Sequence, residues 1–387
     1  IGGLPPLLVA DALAPAPFDP ATDDFATWVA QSLGQEVDFN SFNSDGRRLE
    51  LDLEQVLTPG PRTRLAWGMG YLRDSMRSDQ IATGGSLEGE SYQLRGNLEW
   101  RATERALINL GGLVERLSRH DDLALSPRLG VNYRLGRHHT LRGALARAEK
   151  FPSLLAESWY HLVSTDDGRP VVVNYASQGG LAPERRDLTE LGYRGQWQAG
   201  RTLLDARVYQ EQVTDGVSTW FDLGCPQPTF PGVPCYVVAN SLDYRVRGLD
   251  LELSIRPRPD TLLRLAYAHA RVEGEAAATR NPLTLVDLAD TVPRHLGSLL
   301  VAQDLPAGWS ASATAYYMDE VFWFPDGRAP LDDALRLDLR LAKRLPAAGA
   351  PALIELLVQG LGGGYAEYMP DNRFDRRVYL RASVQFE

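Results

Sequence analysis

From about residue 46 onward, apolar and polar residues alternate with a period of two. Leu49, Leu51 and Leu53 are interleaved with Arg48, Glu50, Asp52 and Glu54, and Leu65, Trp67, Met69 and Tyr71 with Arg64, Ala66, Gly68 and Gly70. The same beat returns at Tyr92, Leu94, Leu98 and Trp100, then at Leu249, Leu251, Leu253 and Ile255. It is sharpest at Leu335, Leu337, Leu339 and Leu341, separated by Arg336, Asp338 and Arg340. Successive side chains of an extended chain point to opposite faces, so the pattern predicts strands with one apolar and one polar face.

A soluble sandwich would alternate too, and the connections separate the two cases. Short turns are predicted near Pro59–Gly60, Thr103–Glu104, Gly136–His138, Ala199–Arg201, Pro259–Asp260, Pro306–Gly308 and Ala347–Gly349. Between them lie longer polar segments at 74–90, 117–124, 150–184, 214–242, 273–292, 321–332 and 361–375. Short turns on one side and long loops on the other are the mark of an outer-membrane barrel. The predicted class is therefore all-β, a transmembrane antiparallel β-barrel of about fifteen strands, each near the ~9–11 residues needed to cross at a tilt. Residues 46–387 carry these strands, and residues 1–45 are expected to be an irregular N-terminal segment or an extracellular loop. Within that segment 25–38 holds Trp28, Val29 and Val37 without clean alternation, which fits either a further strand or a short helix. The first and last strands both run from the outside inward, so they cannot close an antiparallel barrel against each other. Trp100, Tyr133, Trp197, Tyr244 and Tyr379, near strand ends, are expected in interfacial aromatic girdles.

Composition narrows the picture. No stretch of the 387 residues approaches the ~18 apolar residues a membrane helix needs. Mean hydropathy is −0.25, as a chain with one greasy and one polar strand face would have. A net charge of −10 argues against nucleic-acid partners. No charged segment followed by an apolar run opens the chain, so Ile1 is expected to be a mature terminus or the start of a fragment. The two cysteines, Cys225 and Cys235, flank a segment rich in Pro and Gly. A disulfide closing that small loop is expected, which implies passage through an oxidising compartment; two unpaired thiols are the alternative.

Residues 126–154 make a more specific pattern. Ser126-Pro127-Arg128 opens one strand, and the next ends in Lys150-Phe151-Pro152-Ser153-Leu154. Leu181-Ala182-Pro183-Glu184 then leads into Glu190-Leu191-Gly192-Tyr193, Asn240 precedes Arg247-Gly248-Leu249-Asp250-Leu251-Glu252, and the last strand carries an aromatic at Phe386, followed by Glu387. In this order the segments resemble the barrel of TonB-dependent receptors, with the match running over 126–387; Glu387 is a departure, since the family usually finishes on the aromatic. The resemblance implies a 22-stranded barrel plugged by an N-terminal domain, of which these strands would be the eighth to the last. It also implies a monomer in the outer membrane of a Gram-negative bacterium, in contact with lipid and driven by the TonB complex through a plug domain that these residues do not contain. The implied cargo is a scarce nutrient, a ferric siderophore or similar chelate first among them. Chains of this family are not enzymes and need no cofactor.

The residues themselves point to no catalysis. The six histidines are scattered, no set has metal-ligand spacing, and no nucleophile-elbow motif accompanies the serines. Ligand contacts are expected from clustered loop aromatics: Trp159, Tyr160 and His161; Trp220 and Phe221; Phe322, Trp323 and Phe324. Such clusters can stack on a planar ligand, and they can equally pack against neighbouring loops. Arg95, Arg142, Arg336 and Arg340 on the polar face could attract an anionic chelate or pair with acids such as Glu99 and Asp338. Three other functions fit the chain less well: a passive porin of sixteen strands if 25–38 supplies one, an outer-membrane hydrolase, and a soluble all-β binding protein.

Overall fold

The computed structural model describes residues 37–38, 44–78, 85–165, 170–222, 233, 235–276, 288–323, 330–345, 351–367 and 369–384. In chain order the strands are β1 (Val37–Asp38), β2 (Asp45–Gly60), β3 (Thr63–Arg77), β4 (Ser86–Arg101), β5 (Ala106–Leu117), β6 (Leu123–Arg134) and β7 (His139–Lys150). Then come β8 (Tyr160–Thr165), β9 (Pro170–Ser177), β10 (Glu184–Trp197), β11 (Thr202–Asp222), β12 (Cys235–Arg258) and β13 (Thr261–Ala276). The last are β14 (His295–Leu305), β15 (Trp309–Met318), β16 (Ala334–Leu345), β17 (Ala352–Gln359), β18 (Tyr365–Glu367), β19 (Met369–Phe374) and β20 (Arg377–Val384).

One antiparallel wall runs from β2 through β7, continues at β10 through β17, and ends at β20. It contains fifteen strands, the number expected from the alternation. A lipid environment offers no partner for a bare N–H or C=O, so this ladder has to be continuous. Among the described residues its two ends, β2 and β20, have registers only with β3 and β17, and nearly every position of both is exposed. They run in the same direction, as the loop lengths predict.

Register places the apolar positions on one face. Leu53, Met69, Leu94, Val114 and Leu125 form one cross-strand row, and Leu341 faces Leu356, which faces Leu380. These residues are open to the surroundings, Leu94 by 57%, Leu335 by 69% and Leu380 by 77%. In water that exposure would be costly, at ~25 cal/mol per Å² of apolar surface; against hydrocarbon it is the resting state. Trp100, Tyr133 and Trp197 stand on this outer face near its ends, where His139 stacks on Tyr193 and meets Trp197 edge-on. Tyr244 and Tyr379 depart from the expectation. Tyr244 shares the inner face with Gly248, and Tyr379 lies opposite Leu357, itself opposite Arg340. An aromatic near a strand end is interfacial only if the period-two parity also sends it outward.

The inner face carries a charge ladder. Arg95 reaches Asp52 at 2.5 Å and Glu54 at 3.6 Å, so its partners lie on β2 rather than at Glu99. Arg142 pairs with Asp205, Arg207 with Glu190 and Asp250, Arg336 with Asp338, and Arg340 with Glu355. Of the two readings of these arginines, pairing with acids of the polar face is the one realised.

Residues 25–36 lie outside the described residues, and Val37–Asp38 pairs with β8, away from the wall. The densest apolar packing also lies outside the wall, in a folded unit at its extracellular end around Val163, Val172, Val173, Cys235 and Val237.

The outward placement of Leu94 yields a direct test. Leu94→Arg should cost about 2–4 kcal/mol at mid-membrane depth, whereas Gln93→Arg, facing inward, should be nearly neutral. Urea titration of each variant folded into phospholipid vesicles measures both; equal losses would mean that the two faces are assigned wrongly.

Candidate functional site

The extracellular mouth is built from extensions of the wall and one long insertion. β11 and β12 have 21 and 24 residues, about twice the ~9–11 needed to cross. Their upper parts therefore stand clear of the membrane. The break between the two parts is a bulge at Asp215, whose φ of 57° is left-handed. Beside it Asn240 acts as a clamp: its side-chain carbonyl accepts from the Ala182 N–H at 2.8 Å, while its amide donates to Ala182 O at 3.0 Å and Asp215 O at 2.5 Å. The Leu-Ala-Pro-Glu segment and the lone Asn, separate motifs in the sequence, are thus one joint between insertion and wall.

The insertion begins where β7 ends. Ser153 Oγ accepts from Ala156 N and caps the short helix Leu154–Ser158. Leu154 lies over Gly89 of β4, on the inner face, where a Cβ would come within 2.7 Å of the leucine methyl. Glu157 accepts from the N–H groups of Gly180 and Leu181 at 2.9 and 3.0 Å, tying the far end of the insertion to its helix. His120, between β5 and β6, contacts Glu157 at 3.5 Å and packs on Phe151. The insertion thus leans inward over the polar face of the wall and forms a cap.

Four of the expected ligand residues meet inside this cap. β9 pairs with β8 and, in parallel, with the extension of β12. Between them Val173, Ala176, Cys235 and Val237 form a core against which Tyr160, Leu162, Trp220 and Val233 pack. Trp159 stacks on Tyr175 with ring centroids 3.7 Å apart, and His161 is fully buried. Burial raises the Tyr160 phenol above its ordinary pKa. Phe221 is placed by backbone pairing opposite Tyr236. Phe322 and Trp323 sit elsewhere, on the β15–β16 connection, where the Phe322 N–H donates to Asp290 O and Trp323 is 42% exposed. Phe324 and Cys225 lie outside the described residues; Cys235 is buried and disulfide-bonded, and Cys225 is the only other cysteine in the chain. In this arrangement Trp159, Tyr160, His161 and Trp220 hold the cap together, and Trp323 is the most open to solvent of the group's described side chains.

Below the mouth, against the inner faces of β11 to β16, lies a cavity of about 840 Å³. Asp205, Asp250, Glu252, Arg207, Tyr316 and Arg336 contribute to its lining, and Tyr365 of the β18–β19 hairpin closes one side. Arg336 Nη1 donates to Tyr365 Oη at 3.0 Å, with its guanidinium 5.0 Å from the Tyr365 ring and 5.6 Å from that of Tyr316. On β12 the Arg-Gly-Leu-Asp motif has a structural reason: the Tyr209 ring lies where a side chain on Gly248 would stand, and Asp250 holds Arg207 at 2.6 Å. The arginines here are already partnered, and Leu251, Leu296 and Met318 make much of the remaining lining apolar, so the cavity fits a ligand with both polar and apolar parts. Alternation places Arg336 on the polar face, but the sequence reading misses Tyr316 and Tyr365. For Tyr316 a signal exists, an aromatic in phase with the polar positions of its strand; for Tyr365 none does, because the hairpin's docking is non-local.

The family model described as TonB dependent receptor-like, beta-barrel matches residues 14–353. No curated protein matches. Among solved structures, the siderophore receptor PirA from Acinetobacter baumannii aligns with a TM-score of 0.66 at 14% identity, covering 88% of this chain and 55% of that one. The copper transporter OprC gives 0.65 at 16% identity, covering 89% and 56%. The ferric enterobactin receptor of Pseudomonas aeruginosa gives 0.64 at 13% identity, covering 88% and 54%. The chain thus spans about half the length of each of these structures, and the likeness, at such low identity, is one of fold.

The clamp at Asn240 is testable by itself. Asn240→Ala should destabilise the joint by about 1 kcal/mol and speed hydrogen exchange at Ala182 while leaving wall amides protected. Unchanged exchange at Ala182 would show that the joint is held by other contacts.

Proposed function

The chain belongs to the TonB-dependent receptor β-barrel family, and on that premise we propose that it serves in importing a scarce nutrient across the outer membrane of a Gram-negative bacterium. The cargo we favour is a ferric siderophore or a similar chelate, in keeping with neighbours named as a siderophore receptor, a ferric enterobactin receptor and a copper transporter. The family is one of receptors and transporters rather than enzymes, so the work is binding and gated passage. We propose a monomer whose apolar face contacts outer-membrane lipid, energised by the TonB complex through a plug domain.

The observation that carries this reading is the capped mouth above a cavity lined by charged and aromatic groups together with Leu251, Leu296 and Met318. A passive pore has no need of a buried apolar core in its extracellular loops. A receptor does, because recognition requires loops held in one arrangement before the ligand arrives, which reduces the ordering cost of binding. Of the loop aromatics expected to serve the ligand, Phe221, Phe322, Trp323 and Phe324 remain the proposed contacts, with Trp323 the most open, while Trp159, Tyr160, His161 and Trp220 are proposed to act indirectly by shaping the cap. The expected Cys225–Cys235 disulfide is proposed to brace that cap at Cys235, inside its core.

A strain lacking the gene should lose growth on at least one chelated iron source in a panel of single sources, and should lose it equally when tonB is deleted instead. Growth unaffected by tonB deletion, together with steady conductance of the purified full-length protein in planar bilayers, would favour the porin.

A further inference from the structure

Above the apolar belt, on the outer face of the wall and apart from the inner cavity, stands a cluster of basic side chains. Arg247 of β12 lies directly opposite Arg271 of β13. Facing like charges disfavour strand pairing, and both side chains are open, by 54% and 70%. They share one carboxylate: Glu273 lies 2.8 Å from Arg271 and 4.0 Å from Arg247, which also donates to the neutral Gln210 Oε1 at 3.0 Å. Arg294 joins them, held loosely by Asp290 at 3.3 Å. Arg271, Arg294, His269 and His295 line a cavity of about 630 Å³. Inside it the two imidazoles are 4.8 Å apart. His295 Nδ1 is engaged by Tyr267 Oη at 2.7 Å, while His269 Nδ1 is buried with no hydrogen-bond partner among the described residues.

Register fixes the height and the direction of this cavity. His269 lies opposite Leu249 and Tyr267 opposite Leu251, on the same face as Leu253 and Leu265. The arginine pair therefore sits one side-chain step, ~7 Å, beyond Leu249 and three steps, ~20 Å, beyond the Leu253–Leu265 pair on the lipid side. At that depth the neighbouring molecules are lipid headgroups. Arg247, Arg271 and Arg294 have two carboxylates between them, Glu273 and Asp290, which leaves a positive charge where an anionic headgroup would lie. A phosphate bridging Arg247 and Arg271 would remove their repulsion, and the planar guanidinium matches phosphate geometry.

We propose that this cavity is a binding site for a phosphorylated lipid of the outer leaflet, with Arg247, Arg271 and Arg294 taking the phosphate and His269 supplying a further polar contact. The site is separate from the lumen and does not depend on which nutrient is carried.

The test uses the full-length protein in phosphatidylcholine nanodiscs, with bis-phosphorylated lipid A or its dephosphorylated form added and retention read by native mass spectrometry. Phosphorylated lipid A should be retained and the dephosphorylated form lost. Arg271→Gln with Arg294→Gln should weaken retention roughly 30-fold, about 1 kcal/mol for each guanidinium. Arg264→Gln, on the inner face of β13, should leave it unchanged. Should the double variant not fold, Arg247→Gln and the wild-type comparison of the two lipids still decide. Equal retention of both lipids, or of lipid A by wild type and variants, overturns the proposal. So does full displacement by millimolar inorganic phosphate, which would mean a free-anion site.

Discussion

Everything in this protein follows from the demand that a backbone in hydrocarbon satisfy its own hydrogen bonds. An N–H or C=O left bare in lipid costs several kcal/mol, so the fifteen wall strands pair in one antiparallel succession with short turns on one side. Once the ladder is continuous, side chains have only two directions to take. The apolar set must face lipid, which leaves the charged set facing inward, and the ion pairs from Arg95–Asp52 to Arg340–Glu355 follow from that division.

The same demand explains why the apolar core lies where it does. In a soluble protein Leu and Val would be buried in the centre; here the wall turns them outward and the lumen stays polar. A buried apolar cluster forms above the membrane, where Val173 and Ala176 of β9 meet Cys235 and Val237 of β12, with Tyr160 and Trp220 packed against them. That core holds the insertion over the mouth. Asn240, Ser153 and Glu157 complete the attachment by closing backbone groups that no strand can reach.

The inner cavity and the outer basic cluster show two uses of arginine set by parity alone. Arg207 faces inward and is claimed by Glu190 and Asp250, whereas Arg247 faces outward beside another cation, Arg271. Neighbouring positions along a strand take opposite faces, so parity decides which partners an arginine can reach.

Strand number, facing and direction were legible in the sequence because they are local: a period of two and a succession of short and long connections need no knowledge of the rest of the chain. The family resemblance added the order of its motifs, and for Gly248 and Asn240 the structure then supplied reasons in packing and hydrogen bonding. What the sequence left open was every contact between segments far apart in the chain. Whether Trp159 and Trp220 would face a ligand or a core, which acid Arg95 would choose, and that Tyr365 would dock on Arg336 were decided only in three dimensions. Alternation states which face a residue joins, but the neighbour it finds there is set by register and by how the loops fold back over the wall.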